Sequence, residues 1–239
     1  IAWEKPFKYP LDLMSGWPRK FVPLCSMIQR GTDKMSNADQ YAVMQQRPEV
    51  SGLARSVFAD ADKSQISGAN PVRLNEIQCG HIVIRGLENV IKDVVQSQLE
   101  LALPTEPLSC YQNEAACIRW ISPDEWLVTV AEDETHSIEV KLRHAVEGHA
   151  AIVNVSGGQT LLQLAGEHAE EVLMKSTSYD VHESNLQVGK VVTTTFAHTQ
   201  IVLRRLDTNS FELVVRRSFA DYVFAWIRDA AAEFGGDTY

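Results

Sequence analysis

Six residues near the C-terminal end constrain the fold more than any others in the chain. Phe219, Tyr222, Val223, Trp226, Ile227 and Ala230 recur at i, i+3, i+4, i+7, i+8 and i+11, an unbroken apolar stripe at helical spacing. A face so wide and aromatic has to be buried. Ser218 and Asp221 stand at the spacing of a capping box, with Asp in place of the usual Glu, and Gly235 supplies a stop. What covers the stripe follows from the residues before it. Runs of strand type extend from 190 to 196, from 200 to 206 and from 211 to 216, joined by Ala197-His198 and by Asp207-Thr208-Asn209. Connections this short join antiparallel neighbours, so the stripe is expected to lie on its own sheet rather than to face a partner.

The same alternation of hairpin and helix runs upstream. His81 to Arg85, Cys117 to Ile121 and Glu125 to Val130 are further strand-like runs, and Ser122-Pro123-Asp124 makes a hairpin of the last two. Asp133 is placed to cap a helix with Ile138, Leu142, Ala145 and Val146 on one face and Glu139 paired to Arg143 outside, ending at Gly148. Ala150 to Val155 reads as a buried strand, Gly157-Gly158 as a turn into Thr160 to Leu164, and Gly166 as the lead into a helix with Ala169, Val172 and Leu173 inward. Helices set singly among hairpins predict an α+β fold, antiparallel sheets with packed helices, over residues 70–236.

Residues 1–41 are of another kind. Pro6, Pro10, Pro18 and Pro23 recur among Trp3, Phe7, Tyr9, Trp17 and Phe21. Proline at that density blocks both helix and central strand, and the aromatics share no periodic face. The segment is too apolar for an ordinary solvated tail, so those five aromatics are the candidate partner-binding residues of an N-terminal arm. An extension packed on its own chain, or untied, fits the same residues. Residues 42–69, rich in Ser, Ala and Gly, read as a linker with a short helix around Leu53 to Asp60. The chain opens on Ile1, and Met35 is an alternative start.

Composition excludes more than it assigns. Lys plus Arg number 22 against 31 Asp plus Glu, a net charge of -9 and the wrong sign for coating phosphate backbones or anionic membranes. No apolar run reaches membrane-spanning length and no basic segment precedes an apolar signal core, so the expectation is a cytoplasmic chain, neither exported nor anchored. Cys25, Cys79, Cys110 and Cys117 match neither a CxxC-type zinc site nor a dense disulfide framework, which points to reduced thiols.

Catalytic motifs are wanting. Ser156-Gly157-Gly158 belongs to neither GxxxxGK[ST] nor GxGxxG and precedes a strand, so it reads as a β-turn. The histidines are scattered, with His144 and His149 near a helix end and no HExxH. Asp180-Val181-His182 is an acid-histidine pair without a nucleophile in an elbow sequence. Arg204-Arg205 and Arg216-Arg217 alternate sides of their strands and are expected along solvated edges. These residues nominate no catalytic, cofactor-binding or metal-ligating side chain.

Other residues carry a resemblance. They are Leu103-Pro104-Thr105-Glu106-Pro107, Trp120 to Leu127 with its PDEWL string, Val153 to Thr160, Tyr179 to His182, and Val214 to Tyr222 with VRRSFADY, followed by Trp226. In this order and spacing they resemble the gamma subunit family of heterotetrameric sarcosine oxidase, over about residues 70 to 236. The delta subunit of N-methylglutamate dehydrogenase is closely similar, and the choice between them stays open. The resemblance implies a fold related to the folate-binding domain of aminomethyltransferases. It implies alpha, beta and delta partner subunits and a reaction that demethylates sarcosine to glycine, passing the one-carbon unit to tetrahydrofolate. It also implies that FAD, FMN, NAD, zinc and tetrahydrofolate belong to those partners, with no cofactor and no catalytic residue in this chain. The N-terminal arm is not part of the family pattern. A stand-alone folate binder of aminomethyltransferase type is the alternative, for which Asp180 and Glu106 are the acids available to a pterin ring.

Overall fold

The computed structural model describes residues 71–234. The proposed arm of residues 1–41 with its five aromatics, and the linker of residues 42–69 with its short helix, lie outside the described residues.

Period-two alternation sorts the strands onto two faces. In β10 (Ser210–Arg216), Phe211, Leu213 and Val215 are buried toward one side, while Glu212 and Val214 point to the other. Its neighbours are β7 (Gln159–Ala165) and β9 (Thr199–Asp207), with β1 (Arg73–Ile77) beyond β7 and β8 (Val191–Phe196) beyond β9. A second five-stranded sheet has the order β3 (Cys110–Gln112), β4 (Ala116–Ser122), β5 (Glu125–Val130), β2 (Gly80–Gly86), β6 (Ala150–Asn154). Every pairing in both sheets is antiparallel, as the short connections predict.

Each sheet buries one face under two helices. On the first, α3 (Ala169–Ser176) and α4 (Ala220–Ala231) close over Leu162, Leu164, Phe196, Leu203, Phe211 and Leu213. On the second, α1 (Glu88–Leu99) and α2 (Thr135–Ala145) close over Ile82, Ile84, Ile118, Trp126 and Val128. Each fully buried aliphatic here contributes roughly 1.5–3 kcal/mol, so the two helix-sheet layers hold most of the stabilising area. The remaining sheet faces meet each other through a thin apolar contact of Leu127, Leu161 and Val214. Because that contact is thin, polar residues share the space between the sheets.

The C-terminal stripe does pack on its own sheet, but rotated. The helix proper starts at Ala220 after a 3-10 turn over Arg217–Phe219, and its N-cap residue, Phe219, makes no side-chain cap bond, so the Ser218 capping box does not form. Ala220, Val223, Ile227 and Ala231 are the buried residues, whereas Phe219 is 41% exposed and Tyr222, Trp226 and Ala230 flank the core. Alanine at both ends lets the helix approach the sheet closely. Trp226, at the margin, donates its Nε1–H to Ser176 Oγ at 3.2 Å.

Three further expectations change. The N-cap of α2 is Glu134, without a side-chain cap bond, and the start is closed by Thr135 Oγ1 donating to the Ala131 carbonyl; Asp133 does not occupy the capping position. The Glu139–Arg143 pair forms at 2.8 Å. The run from Ala150 is an edge strand with only Ile152 buried, because it has β2 on one side and no strand on the other. Finally, β1, α1 and β3 were not anticipated, although Ile91, Val94, Val95 and Leu99 keep helical spacing. Leu87 at the α1 N-cap carries no capping side chain to announce it.

Gly166 is required where β7 turns into α3. Its φ is +132°, and a Cβ there would lie 2.1 Å from the Pro71 carbonyl oxygen.

Candidate functional site

The alternation that sends apolar residues to the helices sends a different set into the space between the sheets. Cys117 and Arg119 of β4, His81 of β2 and Thr129 of β5 point there from one side; Arg204 of β9 and Glu212 of β10 point there from the other. Arg204 and Glu212 stand opposite one another in the β9–β10 register. Arg119 comes from the other sheet, so only the packing of the sheets completes the group.

Glu212 is the hub. Its Oε2 accepts from Arg119 Nη2 at 2.7 Å and from Arg204 Nη1 at 3.3 Å. Arg119 Nη1 donates to Thr129 Oγ1 at 2.8 Å, and Arg204 Nη2 to Gln112 Oε1 on β3 at 2.6 Å. The Arg119 side chain is 1% exposed and that of Arg204 7%. Burial works against the charged form of Arg119, but the adjacent Cys117 and Glu212 outweigh it and raise its pKa.

Two guanidinium groups face one carboxylate, and a sulfur completes the balance. Arg204 Nη1 lies 3.2 Å from Cys117 Sγ, and Cys110 Sγ, on β3, lies 3.3 Å from the same atom. The Cys110 thiol donating toward Cys117, together with the two arginines, lowers the Cys117 pKa despite its burial, whereas that of Cys110 is raised. Near them, burial pushes Cys79 up to about 12 and His81 down to about 4, Arg119 also disfavouring the imidazolium. His81 Nδ1 has no hydrogen-bond partner among the described residues. The arrangement can hold two sheets together and a thiolate in place, and it offers no base within hydrogen-bond reach of that sulfur.

The expectation of solvated arginine edges is thereby overturned at Arg204-Arg205, because β9 is an interior strand. Arg205, on the helix side, is fully buried, donating to Glu170 and to the backbone carbonyls of Val181 and Thr208, with its guanidinium 4.6 Å from the centre of the Phe211 ring. Alternation does divide the pair between the two faces, as expected of neighbours in a strand.

Other nominated residues stay apart. Asp180 is exposed and accepts from the His182 backbone N–H at 3.1 Å, while His182 Nδ1 meets Ser184 Oγ at 2.8 Å in the same surface turn. Since the carboxylate holds backbone and not the ring, this is a turn and not a triad. Glu106 is also exposed. Ser156 is structural, its Oγ accepting from the His81 backbone N–H at 2.8 Å and thus tying the turn to β2. Among the described residues no group of three or more His, Cys, Asp or Glu side chains could hold a metal ion, and no helix is long and apolar enough to cross a membrane.

Residues 87–233, more than half of the chain, match the family described as "Sarcosine oxidase, gamma subunit family". Sarcosine oxidase subunit gamma of Corynebacterium sp. (strain U-96) is 30% identical over 49% of this chain and 57% of its own length. That of Corynebacterium sp. (strain P-1) is 29% identical over 52% of this chain and 61% of its own. The chain thus spans less than two thirds of these curated relatives. In fold, it superposes on a chain of the heterotetrameric sarcosine oxidase from Corynebacterium sp. U-96, solved in complex with pyrrole 2-carboxylate, with a TM-score of 0.69. That superposition covers 77% of this chain and 98% of the other at 24% identity.

Proposed function

This chain belongs to the sarcosine oxidase gamma subunit family, and from that premise we propose that it is a non-catalytic accessory subunit of a heterotetrameric, flavin-dependent sarcosine oxidase. In this reading it assembles in the cytoplasm with alpha, beta and delta subunits, which hold FAD, FMN, NAD, zinc and tetrahydrofolate. Together they demethylate sarcosine oxidatively to glycine and pass the one-carbon unit to tetrahydrofolate. The names of the relatives favour sarcosine over N-methylglutamate as the amine.

The observation that carries the accessory role is the engagement of the charged and sulfur-bearing side chains by one another. Arg119 and Arg204 share the Glu212 carboxylate between the sheets, Arg204 also meets Cys117, and Arg205 is held by Glu170 and two carbonyls. Chemistry on an amine needs a cofactor and a base that converge on one space, and the described residues offer neither grouping. The exposed positions of Asp180 and Glu106 weigh against a stand-alone pterin site. Trp3, Phe7, Tyr9, Trp17 and Phe21 are proposed to contact the partner subunits.

Co-expression with and without this chain tests the reading. Leaving it out should lower the yield of assembled oxidase, and deleting residues 1–41 should weaken assembly while the remaining domain stays folded. Stoichiometric flavin in the purified chain, or oxidation of sarcosine by it alone, would refute the accessory role.

A further inference from the structure

We propose that Cys110 and Cys117 form a reversible dithiol–disulfide site, closed by hydrogen peroxide and reopened by a small dithiol, that locks the edge strand β3 to β4. The two sulfurs are 3.3 Å apart. In the register Gln112 stands opposite Cys117 and Cys110 opposite Arg119, so the cysteines are diagonal neighbours on the face turned toward the other sheet. A disulfide needs the sulfurs about 2 Å apart. The strand that has to move to close that gap is three residues long and has β4 as its one ladder partner, with the Gln112 side chain also held by Arg204.

The surroundings divide the labour between the two thiols. Cys117 is buried, with Arg204 Nη1 3.2 Å from its Sγ, so a cation stands where a thiolate has to be held. Cys110 is half-buried at the sheet edge and gives a small oxidant its approach. At Cys79, the other cysteine in this part of the chain, burial outweighs the pull of the Arg119 charge and keeps it a thiol. It should stay reduced.

The step balances as follows. The Cys117 thiolate attacks one peroxide oxygen, the O–O bond breaks, and hydroxide leaves, so that Cys117 becomes a sulfenic acid. The Cys110 thiol gives its proton to that hydroxide, forming water. Its sulfur then attacks Cys117 Sγ; the S–S bond forms, the S–O bond breaks, and a second hydroxide departs. Two sulfurs lose one electron each and one peroxide gains two. Closure also removes the thiolate charge beside Arg204, leaving Glu212 alone to balance both arginines.

The reduced full-length chain is treated with hydrogen peroxide, alkylated with N-ethylmaleimide and cut with a protease that cleaves after Glu, since Glu114 separates the two cysteines. The Cys110 and Cys117 peptides should stay joined until dithiothreitol parts them, while Cys79 is recovered as a thiol. In Cys110→Ser, dimedone should label Cys117, because the sulfenic acid has lost its resolving partner. Arg204→Gln should slow closure about tenfold by raising the pKa of the attacking sulfur; should that variant not fold, the Cys110→Ser arm carries the test. The proposal is overturned if the two peptides separate without reductant after peroxide, if Cys79 pairs instead, or if dimedone leaves Cys117 unlabelled in Cys110→Ser.

Discussion

Replacing Glu212 by Gln removes one charge and almost no volume from the space between the sheets, and its effect can be worked from the cluster. The carboxylate faces two guanidinium groups whose side chains are 1% and 7% exposed, and is itself 16% exposed. Removing one partner of a buried pair costs about 3–5 kcal/mol, because the charge left behind has no water to solvate it. Glutamine keeps one acceptor oxygen for Arg119 Nη2, which places the expected loss near the lower end, about 3 kcal/mol. In a domain of this size that is a fall of roughly 6–12 °C in Tm. Urea unfolding of the full chain should show a lower midpoint at unchanged m. The loss should be nearly the same at about 0.05 and about 0.5 M sodium chloride, since buried charges are poorly screened. Arg85→Gln, which breaks an exposed pair with Asp124, is the control and should leave the midpoint in place. Adding Arg119→Met and Arg204→Met to Glu212→Leu should restore most of the stability, as apolar replacements of buried ion groups often do. A loss below about 1 kcal/mol for Glu212→Gln, or one that disappears in salt, would refute the claim that this carboxylate is a buried counter-ion.

Three further outcomes are expected. His81 titrates near 4 when folded against an ordinary value of 6.5, so the unfolded chain binds more protons between those limits; the His81 contribution to stability is flat above about 6.5 and falls as the pH drops toward 4, by on the order of 3 kcal/mol in all. His81→Gln should flatten that part of the urea-midpoint profile, and an unchanged slope would show that other groups set it. Gly166→Ala combines a positive φ with a clash against the Pro71 carbonyl and should cost at least about 2 kcal/mol by thermal unfolding; a neutral result would mean the turn relaxes freely. Arg205→Met strips Glu170 and the carbonyls of Val181 and Thr208 of a donor and should cost about 2–3 kcal/mol by thermal unfolding; a neutral result would mean those acceptors find other partners.

Much of this architecture is legible one segment at a time. Period two in Phe211 to Val215, a short turn at Thr208-Asn209 and period 3.6 from Ala220 onward are local properties, and each produces its element wherever the chain is placed. Elements without a local signal escape notice. The segment Arg73–Ile77 alternates only weakly, Cys110–Gln112 is too short to carry a pattern, and α1 begins without a capping side chain.

Part of the cluster was within reach of the same reasoning. With the three-residue connection Asp207-Thr208-Asn209, Arg204 and Glu212 fall opposite one another, the pairing that the bulge between Ser210 and Phe211 produces, and a charge pair set among Ile201, Leu203, Leu213 and Val214 is expensive unless buried groups satisfy it. Arg119 carries the same signal in an otherwise apolar Ala116–Ser122. Taking β9 for an edge hid it, since an edge strand solvates such charges and an interior strand cannot.

Residue order and spacing therefore settle the α+β class, the antiparallel hairpins, the burial of the last helix and the family to which the chain belongs, because these depend on periodicities and strings read within a few residues. The meeting of Arg119 with Glu212 across 93 positions, of Arg204 with Cys117 across 87, and the edge or interior rank of each strand depend on how two sheets stack. No local pattern encodes that stacking. It is set by which apolar faces the helices leave uncovered, and only the folded chain brings those faces, with their charges and thiols, together.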